Sequence, residues 1–447
     1  YRNYGSAYTS QTASPGYYSN LLTKYGIRTE VTATPRTSAE RYTFPEGTGH
    51  ILLNLGEGLT NESGAWVRRV NDTEVEGMKL LGTFCYNPQA VFPVYFVMRV
   101  SKRPAATGFW KKQPPKQGVE AEWDKDAGNY KLYTQYGKDI AGDDVGVWFS
   151  YDMQPGEQVE VRMGVSFVSA ENARLNLEAE QQGRSFDDIR AAARRTWNDD
   201  LGRIRVEGGT EAQKKVFYTG LYHALIHPNV LSDVNGEYPA MESAEIRTAE
   251  GNRYTVFSLW DTYRNLHQLL TLVYPERQLE MVRSMVGMYR EWGWLPKWEL
   301  YGRETFTMEG DPSIPVIVDT WMKGLRDFDM DAAYEAMRKS ATTPGARNRM
   351  RPDIDPYIEK GYVPLGFYAR DLSGDNSVSH ALEYYIADHA LSLLADSLGK
   401  KDDAALFRAR SLGYKNYYST ESGTFRPITK EGKFLTPFDP RQGENFE

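Results

Sequence analysis

Val159, Val161, Met163, Val165 and Phe167 alternate with Glu160, Arg162, Gly164 and Ser166. A period of two sends successive side chains to opposite faces, so this stretch predicts a strand with one buried face. The apolar runs HILLNL (50–55), FPVYFVMRV (92–100) and VGVWFSY (145–151) predict further strands. Turn-rich pieces such as EGTG, NESG and KQPPKQG separate them, and no helical pattern intervenes. Residues 1–170 therefore read as an antiparallel β-sandwich domain.

Near residue 170 the pattern changes. ENARLNLEAEQQGRSFDDIRAAARRTWNDDL is charged, rich in Ala and Arg and free of Pro. It predicts linker helices over 171–205. From 206 to 447 the apolar period is helical. Phe217, Leu221, Ala224 and Leu225 share one predicted face. Leu279, Val282, Met285, Val286 and Tyr289 share a second, and Leu382, Tyr385, Ile386, His389 and Leu393 a third. Pro275 is placed to open a helix, Gly399 to end one, and Asp402 or Asp403 to cap the next. The expected architecture is multidomain β + α: an N-terminal antiparallel β-sandwich followed by an α-helical toroid.

Composition narrows the function. A chain of 447 residues is long enough for two or three domains. Its formal charge of −7 disfavours nucleic acid as the main partner, because phosphate binding needs a positive surface. No apolar run approaches the roughly 20 residues of a transmembrane helix. The single cysteine, Cys85, allows no disulfide within the chain. The opening YRNYGSAYTSQ has neither an initiator Met nor an apolar core, so the numbered chain reads as a piece of a longer protein. Aromatic residues are abundant, with 30 Tyr, 18 Phe and 10 Trp. They suit an ordinary core, and equally a site that stacks the flat faces of sugars.

Three local features carry chemistry. The first is FSLWDTYRNLH (257–267), where Trp260, Asp261 and Arg264 crowd the head of a helical segment. Trp can stack on a pyranose, Asp can accept two hydroxyls, and Arg can orient the Asp or donate to the ligand. The same residues also read as a capping Asp, a packed Trp and a solvated Arg. The second is GWLPKWELYGRETFTMEGDPSIP (293–315), which gathers Trp294, Trp298, Glu299, Glu304 and Glu309 in a stretch broken by Pro and Gly. Each carboxylate also reads as a solvated surface group. The third is YHALIHPN, where His223 and His227 stand four apart and would share a helix face. A zinc site would need a third ligand, and the glutamate of HExxH is absent. His380 and His389 read as core histidines. No P-loop, no GxGxxG after a strand, no CxxC and no GxSxG occurs, so the common nucleotide, redox and serine-hydrolase readings fall away. Glycoside hydrolysis needs two carboxylates across the scissile bond, and spacing alone picks out no pair.

At these residues the sequence resembles the glycoside hydrolase family 92 α-mannosidases. PGYYSNLLTKYGIRTEVTATPRTSAERYTFP (15–45) resembles their N-terminal sandwich. LYHALIHPNVLSD (221–233), SLWDTYRNLHQLLTLVYPE (258–276), residues 293–324, GYVPL (361–365) and residues 377–410 resemble successive parts of their helical barrel, in order. The resemblance implies a β-sandwich packed on an (α/α)6 barrel that is incomplete at the C-terminus. It implies calcium-dependent, inverting removal of terminal non-reducing α-linked mannose. The substrate would be a mannose-containing oligosaccharide or glycoprotein glycan, in N-glycans or mannans. Ca2+ would sit near the −1 mannose and help distort it, held by oxygen ligands. Trp260 and Asp261 would contact that mannose, and Arg264, Trp298 and Glu304 complete the expected substrate-binding set. The location implied is periplasmic, cell-surface or secreted, in a bacterium.

The resemblance also shows departures. The family's general acid lies in a Glu-Gly-Asn-Ala-Trp segment and its base in a Gly-Asn-Asp-type motif. Both are expected beyond residue 447, and Glu447 is not equated with the acid. The His-Gly-Asn-Glu-Pro segment that shapes the +1 site is also absent. Glu40 stands where the family is expected to carry a His. Two other readings stay open: another (α/α)6 glycosidase, or a non-catalytic glycan-binding protein that keeps Trp260 and Asp261.

Overall fold

The computed structural model describes residues 4–56, 64–82, 90–112, 130–133, 137–345, 347–367, 369–370 and 374–441. Cys85, Glu447 and most of the NESG and KQPPKQG turns lie outside them. The strands of the first half are β1 (Tyr8–Ser14), β2 (Tyr17–Leu22), β3 (Ile27–Ala33), β4 (Thr37–Thr43), β5 (Gly47–Asn54), β6 (Ala65–Arg69) and β7 (Glu74–Gly82). They continue with β8 (Val91–Val100), β9 (Ala106–Lys112), β10 (Tyr130–Tyr133), β11 (Asp139–Gly142), β12 (Val145–Met153) and β13 (Gln158–Ser166). One sheet runs β1-β2-β3-β4-β13-β8-β7-β6-β11 and the other β10-β9-β12-β5. Their strand pairs are antiparallel. Val67, Val75, Met98, Val159 and Val161 from the first meet Phe109, Val147, Phe149 and Tyr151 from the second, so the apolar alternation becomes a dry seam between two sheets.

The alternation in β13 is only half of its story. Its supposedly polar face is buried too: Gly164 and Ser166 lie under a helix. That helix, α1 (Ala170–Gln181), is capped by Ser169 and rests on β13 and β8. A Cβ at Gly164 would stand 2.2 Å from the Ala173 carbonyl oxygen, so only glycine lets the helix come this close. The next helix, α2 (Phe186–Leu201), begins with a Ser185–Asp188 capping box and buries Phe186 and Ile189 against Tyr17 and Ala39. The stretch read as a linker thus forms a layer over the larger sheet.

The second half is helical: α3 (Glu211–Ala224), α4 (Leu259–Thr262), α5 (Leu266–Val273), α6 (Pro275–Trp292), α7 (Ser313–Met322), α8 (Met330–Thr342), α9 (Ile354–Lys360), α10 (Ser377–Ser397) and α11 (Lys401–Ser411). The apolar α7 sits in the middle, touching α5, α6, α8 and α10. Pro275 opens α6, whose predicted face is buried through Val282, Met285 and Val286. Gly399, at φ +73°, follows the end of α10.

Three expectations are corrected. On α3, Leu221 is buried, but Phe217 is 37% and Val216 73% exposed, so the described residues cover its apolar side only in part. On α10 Tyr385 is buried as expected, but the buried side is otherwise Ala381, Tyr384, Ala387, Asp388, Leu391 and Leu394, while Ile386, His389 and Leu393 are exposed. A buried Asp and small Ala residues at close contacts turned the apolar pattern away from the true inner face. At α11 the cap position is Lys400, and Asp402 and Asp403 sit in the first turn. Asp403 is drawn instead to Tyr334 and Arg338, at 2.7 and 2.9 Å.

Candidate functional site

The two richest sequence features fold into one structure. Phe257–Ser258 pairs with Trp298–Leu300, which turns back to pair with Arg303–Glu304. Ser258 therefore faces Trp298 across the ladder, and the single turn of α4 springs from its end. This places Trp260, Asp261 and Arg264 beside the 298–304 hairpin.

Arg264 organises this corner. Its guanidinium carbon lies 4.3 Å from the centre of the Trp260 ring and 4.8 Å from that of Tyr263. Its Nε donates to the Trp260 carbonyl at 3.1 Å and its Nη2 to Glu383 Oε1 at 2.8 Å. The Tyr263 hydroxyl donates to the other oxygen of Glu383 at 2.7 Å. Burial, reinforced by Glu383, pushes the Tyr263 phenol up, so it stays a donor. Asp261 is exposed and accepts from the Ser258 hydroxyl. Behind α4, buried His267 bonds Gln278 at 2.9 Å and Thr262 at 3.0 Å. Burial lowers its pKa to about 4, so it is neutral and structural.

The hairpin is held from inside by carboxylates. Glu304 is fully buried, and its oxygens accept the backbone N–H groups of Lys297, Trp298 and Phe306 at 2.8, 2.9 and 2.8 Å. Glu299, also fully buried, accepts from Gly302 N at 2.6 Å, Val256 N at 3.2 Å and the Thr255 hydroxyl at 2.9 Å. Burial raises both carboxyls against the pull of these donors, Glu299 to about 7. Around them the backbone is strained. Glu242, Val256, Tyr301, Phe306 and Met308 all have positive φ, from 49° to 66°. A β-branched residue such as Val256 rarely adopts that region, and such strain gathers at functional sites. The sandwich braces the hairpin: the Tyr301 ring stacks on Phe167 at 4.5 Å and lies 4.7 Å from Phe92.

The following loop rests on a buried ion network. Arg351 is fully buried between Asp311 (3.0 Å) and Asp388 (2.8 Å), and Tyr357 donates to Asp388 at 2.8 Å. Glu309, two residues before Asp311, accepts from Asn376 at 2.7 Å.

The structure therefore brings Trp260, Asp261 and Arg264 together, with half-buried Trp298 in the adjoining strand. Glu304 and Glu299 face inward onto backbone amides, which runs against their reading as solvated groups. Tyr263 and Glu383 were missed. No local signal marks Glu383, which lies 119 residues from Arg264. The His223–His227 pair does not share a helix face: α3 ends at Ala224, and His227 bonds Asn229 instead. His380 is buried as expected, while His389 is exposed beside Arg408. Glu40 accepts from Tyr42 on its own strand. Among the described residues, no three His, Cys, Asp or Glu side chains cluster as a metal site.

Comparison with known proteins bears on both halves. Residues 1–166 match the glycosyl hydrolase family 92 N-terminal domain, and residues 172–447 match the family 92 catalytic domain. The fold is similar to that of the GH92 α-mannosidase BT3965 from Bacteroides thetaiotaomicron, with TM-score 0.86 and 30% identity over 99% of this chain and 57% of that one. A structure of BT3965 in complex with mannoimidazole matches with TM-score 0.85 and 31% identity over 97% of this chain and 54% of that one. The inverting GH92 mannosidase BT2199 from the same bacterium matches with TM-score 0.85 and 26% identity, over 98% of this chain and 56% of that one. An uncharacterized secreted glycosidase of Arthroderma benhamiae is 25% identical over 97% of this chain and 52% of its own length. The chain thus spans little more than half the length of these relatives. With both halves matched in order, this chain belongs to glycosyl hydrolase family 92.

Proposed function

We propose that the protein removes terminal non-reducing α-linked mannose from N-glycans or mannans, with inversion. The observation that carries this reading is the Trp260–Asp261–Arg264 array. Arg264 covers one face of the Trp260 ring, so a pyranose would stack on the other. Asp261 is exposed beside it and would accept two sugar hydroxyls. Arg264 balances the charge of Glu383 behind that corner, at 2.8 Å. Half-buried Trp298 flanks the same strand pair, and Glu304 contributes by holding the hairpin in shape.

Inversion is proposed by analogy with BT2199, and mannose by analogy with BT3965. The general acid and base are proposed to lie in segments following residue 447, on the family resemblance. A Ca2+ requirement is proposed on the same ground. The described residues form no carboxylate cluster able to hold the ion. A periplasmic, cell-surface or secreted location is proposed with the support of the secreted relative. No helix among the described residues is long and apolar enough to cross a membrane.

The test is mannose release from α-mannobiosides and a high-mannose N-glycan by the full-length protein, with and without a calcium chelator, following the product anomer by NMR. Release of β-mannose first supports the reading. Initial release of α-mannose overturns inversion, and sugar binding without release leaves a glycan-binding protein.

A further inference from the structure

We propose that Glu383 is a positioning residue, which sets Trp260 and Asp261 for the sugar by holding Arg264 and Tyr263. The sugar readouts rest on the mannosidase reading, while the contact itself does not.

α4, which carries Trp260 and Asp261, is a single turn of four residues, and Ser258 makes no side-chain cap bond to it. One turn in isolation is not a stable helix, so its geometry must come from elsewhere. Arg264 is 43% exposed and would sample many rotamers if left alone. Glu383 removes that freedom. Its side chain is 13% exposed, so its ion pair with Arg264 is less screened than a surface pair. Each of its oxygens already takes one donor, Arg264 on one and Tyr263 on the other. Through those two residues it reaches Trp260, whose ring and carbonyl Arg264 holds.

Glu383 is itself fixed. Gly310 has φ +83°, and a Cβ there would fall 2.5 Å from Glu383 Cβ, so the loop after Glu309 closes directly on the stem of this side chain. The Glu309–Asn376 bond ties that loop to the head of α10, two turns before Glu383. Two separate segments, 258–264 and 309–311, thus close on Glu383, the first on its carboxylate and the second on its stem.

The test is a double-mutant cycle in the full-length protein: Glu383→Gln, Arg264→Ala and both together. Three quantities are read: thermal stability, kcat and KM on an α-mannobioside, and the fluorine NMR resonance of Trp260 in fluorotryptophan-labelled protein, assigned with Trp260→Phe. Glu383→Gln is expected to move the Trp260 resonance and to lower kcat/KM about 100-fold, chiefly through kcat. In the Arg264→Ala background the further loss should be several-fold smaller, because only the Tyr263 contact remains to be lost. Glu383→Asp, which keeps the charge, should recover part of the rate, and it carries the test if the Gln variant does not fold. An equal loss in both backgrounds, or an unmoved Trp260 resonance, overturns the proposal. If the wild type releases no mannose, the mannosidase reading fails, and the Trp260 resonance alone then decides for or against Glu383.

Discussion

The seam of the sandwich and the hairpin at 298–304 are both buried, yet opposite forces hold them. In the sandwich, Val147, Phe149 and Tyr151 meet Val159 and Val161 in a dry contact that any well-shaped apolar set could make. In the hairpin, the interior is two carboxylates, Glu299 and Glu304, whose oxygens collect backbone N–H groups of a strained chain. The sandwich is stabilised by area, which tolerates approximate fit. The hairpin is stabilised by directed bonds, which fail when one partner is lost. A binding site profits from the second kind, because it holds loops in shapes that apolar packing alone would not select.

This contrast can be broken in order of expected effect. Glu304→Ala should cost about 3–5 kcal/mol, because three buried amides lose their acceptor together. Phe149→Ala in the sandwich should cost a similar 3–5 kcal/mol through its cavity. Urea melts measure both. The two should part in the folded fraction: the Glu304 variant is expected to lose sugar affinity and the Phe149 variant to keep it. Equal affinities would show that the hairpin does not serve the site.

Next comes Asp261→Ala. It should lower kcat/KM by about 100-fold or more, near 2.7 kcal/mol, and leave the melting temperature within about two degrees. Near-normal turnover would remove Asp261 from the sugar site.

Glu299 yields a pH-dependent effect. An unfolded glutamate ionises near 4.5, and the folded one near 7. Between these values the folded chain keeps a proton that the unfolded chain has released. The stability contributed by this group is therefore fully present below about 4.5 and falls as pH rises towards 7, by at most about 3 kcal/mol. Melting temperatures of the wild type and Glu299→Gln across this range check it, and the variant should show the flatter profile. The smallest effect is expected at the surface pair Lys401–Asp396, whose side chains are 73% and 64% exposed. Asp396→Asn should change stability by less than about 0.5 kcal/mol.

How much of this was legible depended on the range of the interaction. The strands 50–55, 92–100 and 145–151 were readable because their apolar residues repeat locally and one sheet face meets another. The inner face of α10 was not, since Asp388 occupies it to meet Arg351 and Tyr357 from other segments. Trp260, Asp261 and Arg264 stood out as a cluster within five residues. Glu383 carried no mark of its role, and Glu304, expected among the substrate-binding residues, shows its three backbone amides only in the fold.

The sequence by itself determined the order of a β half and a helical half, the acidic balance that disfavours nucleic acid, and the motif holding Trp260, Asp261 and Arg264. Those follow from local periodicity and residue chemistry, which need no partner to be read. Only the tertiary structure decided that α1 and α2 cover the larger sheet, that Glu299 and Glu304 turn inward, and that Glu383 closes on Arg264. Each of these depends on contacts between segments far apart in the chain, and the free energy of such a contact is written in neither segment alone.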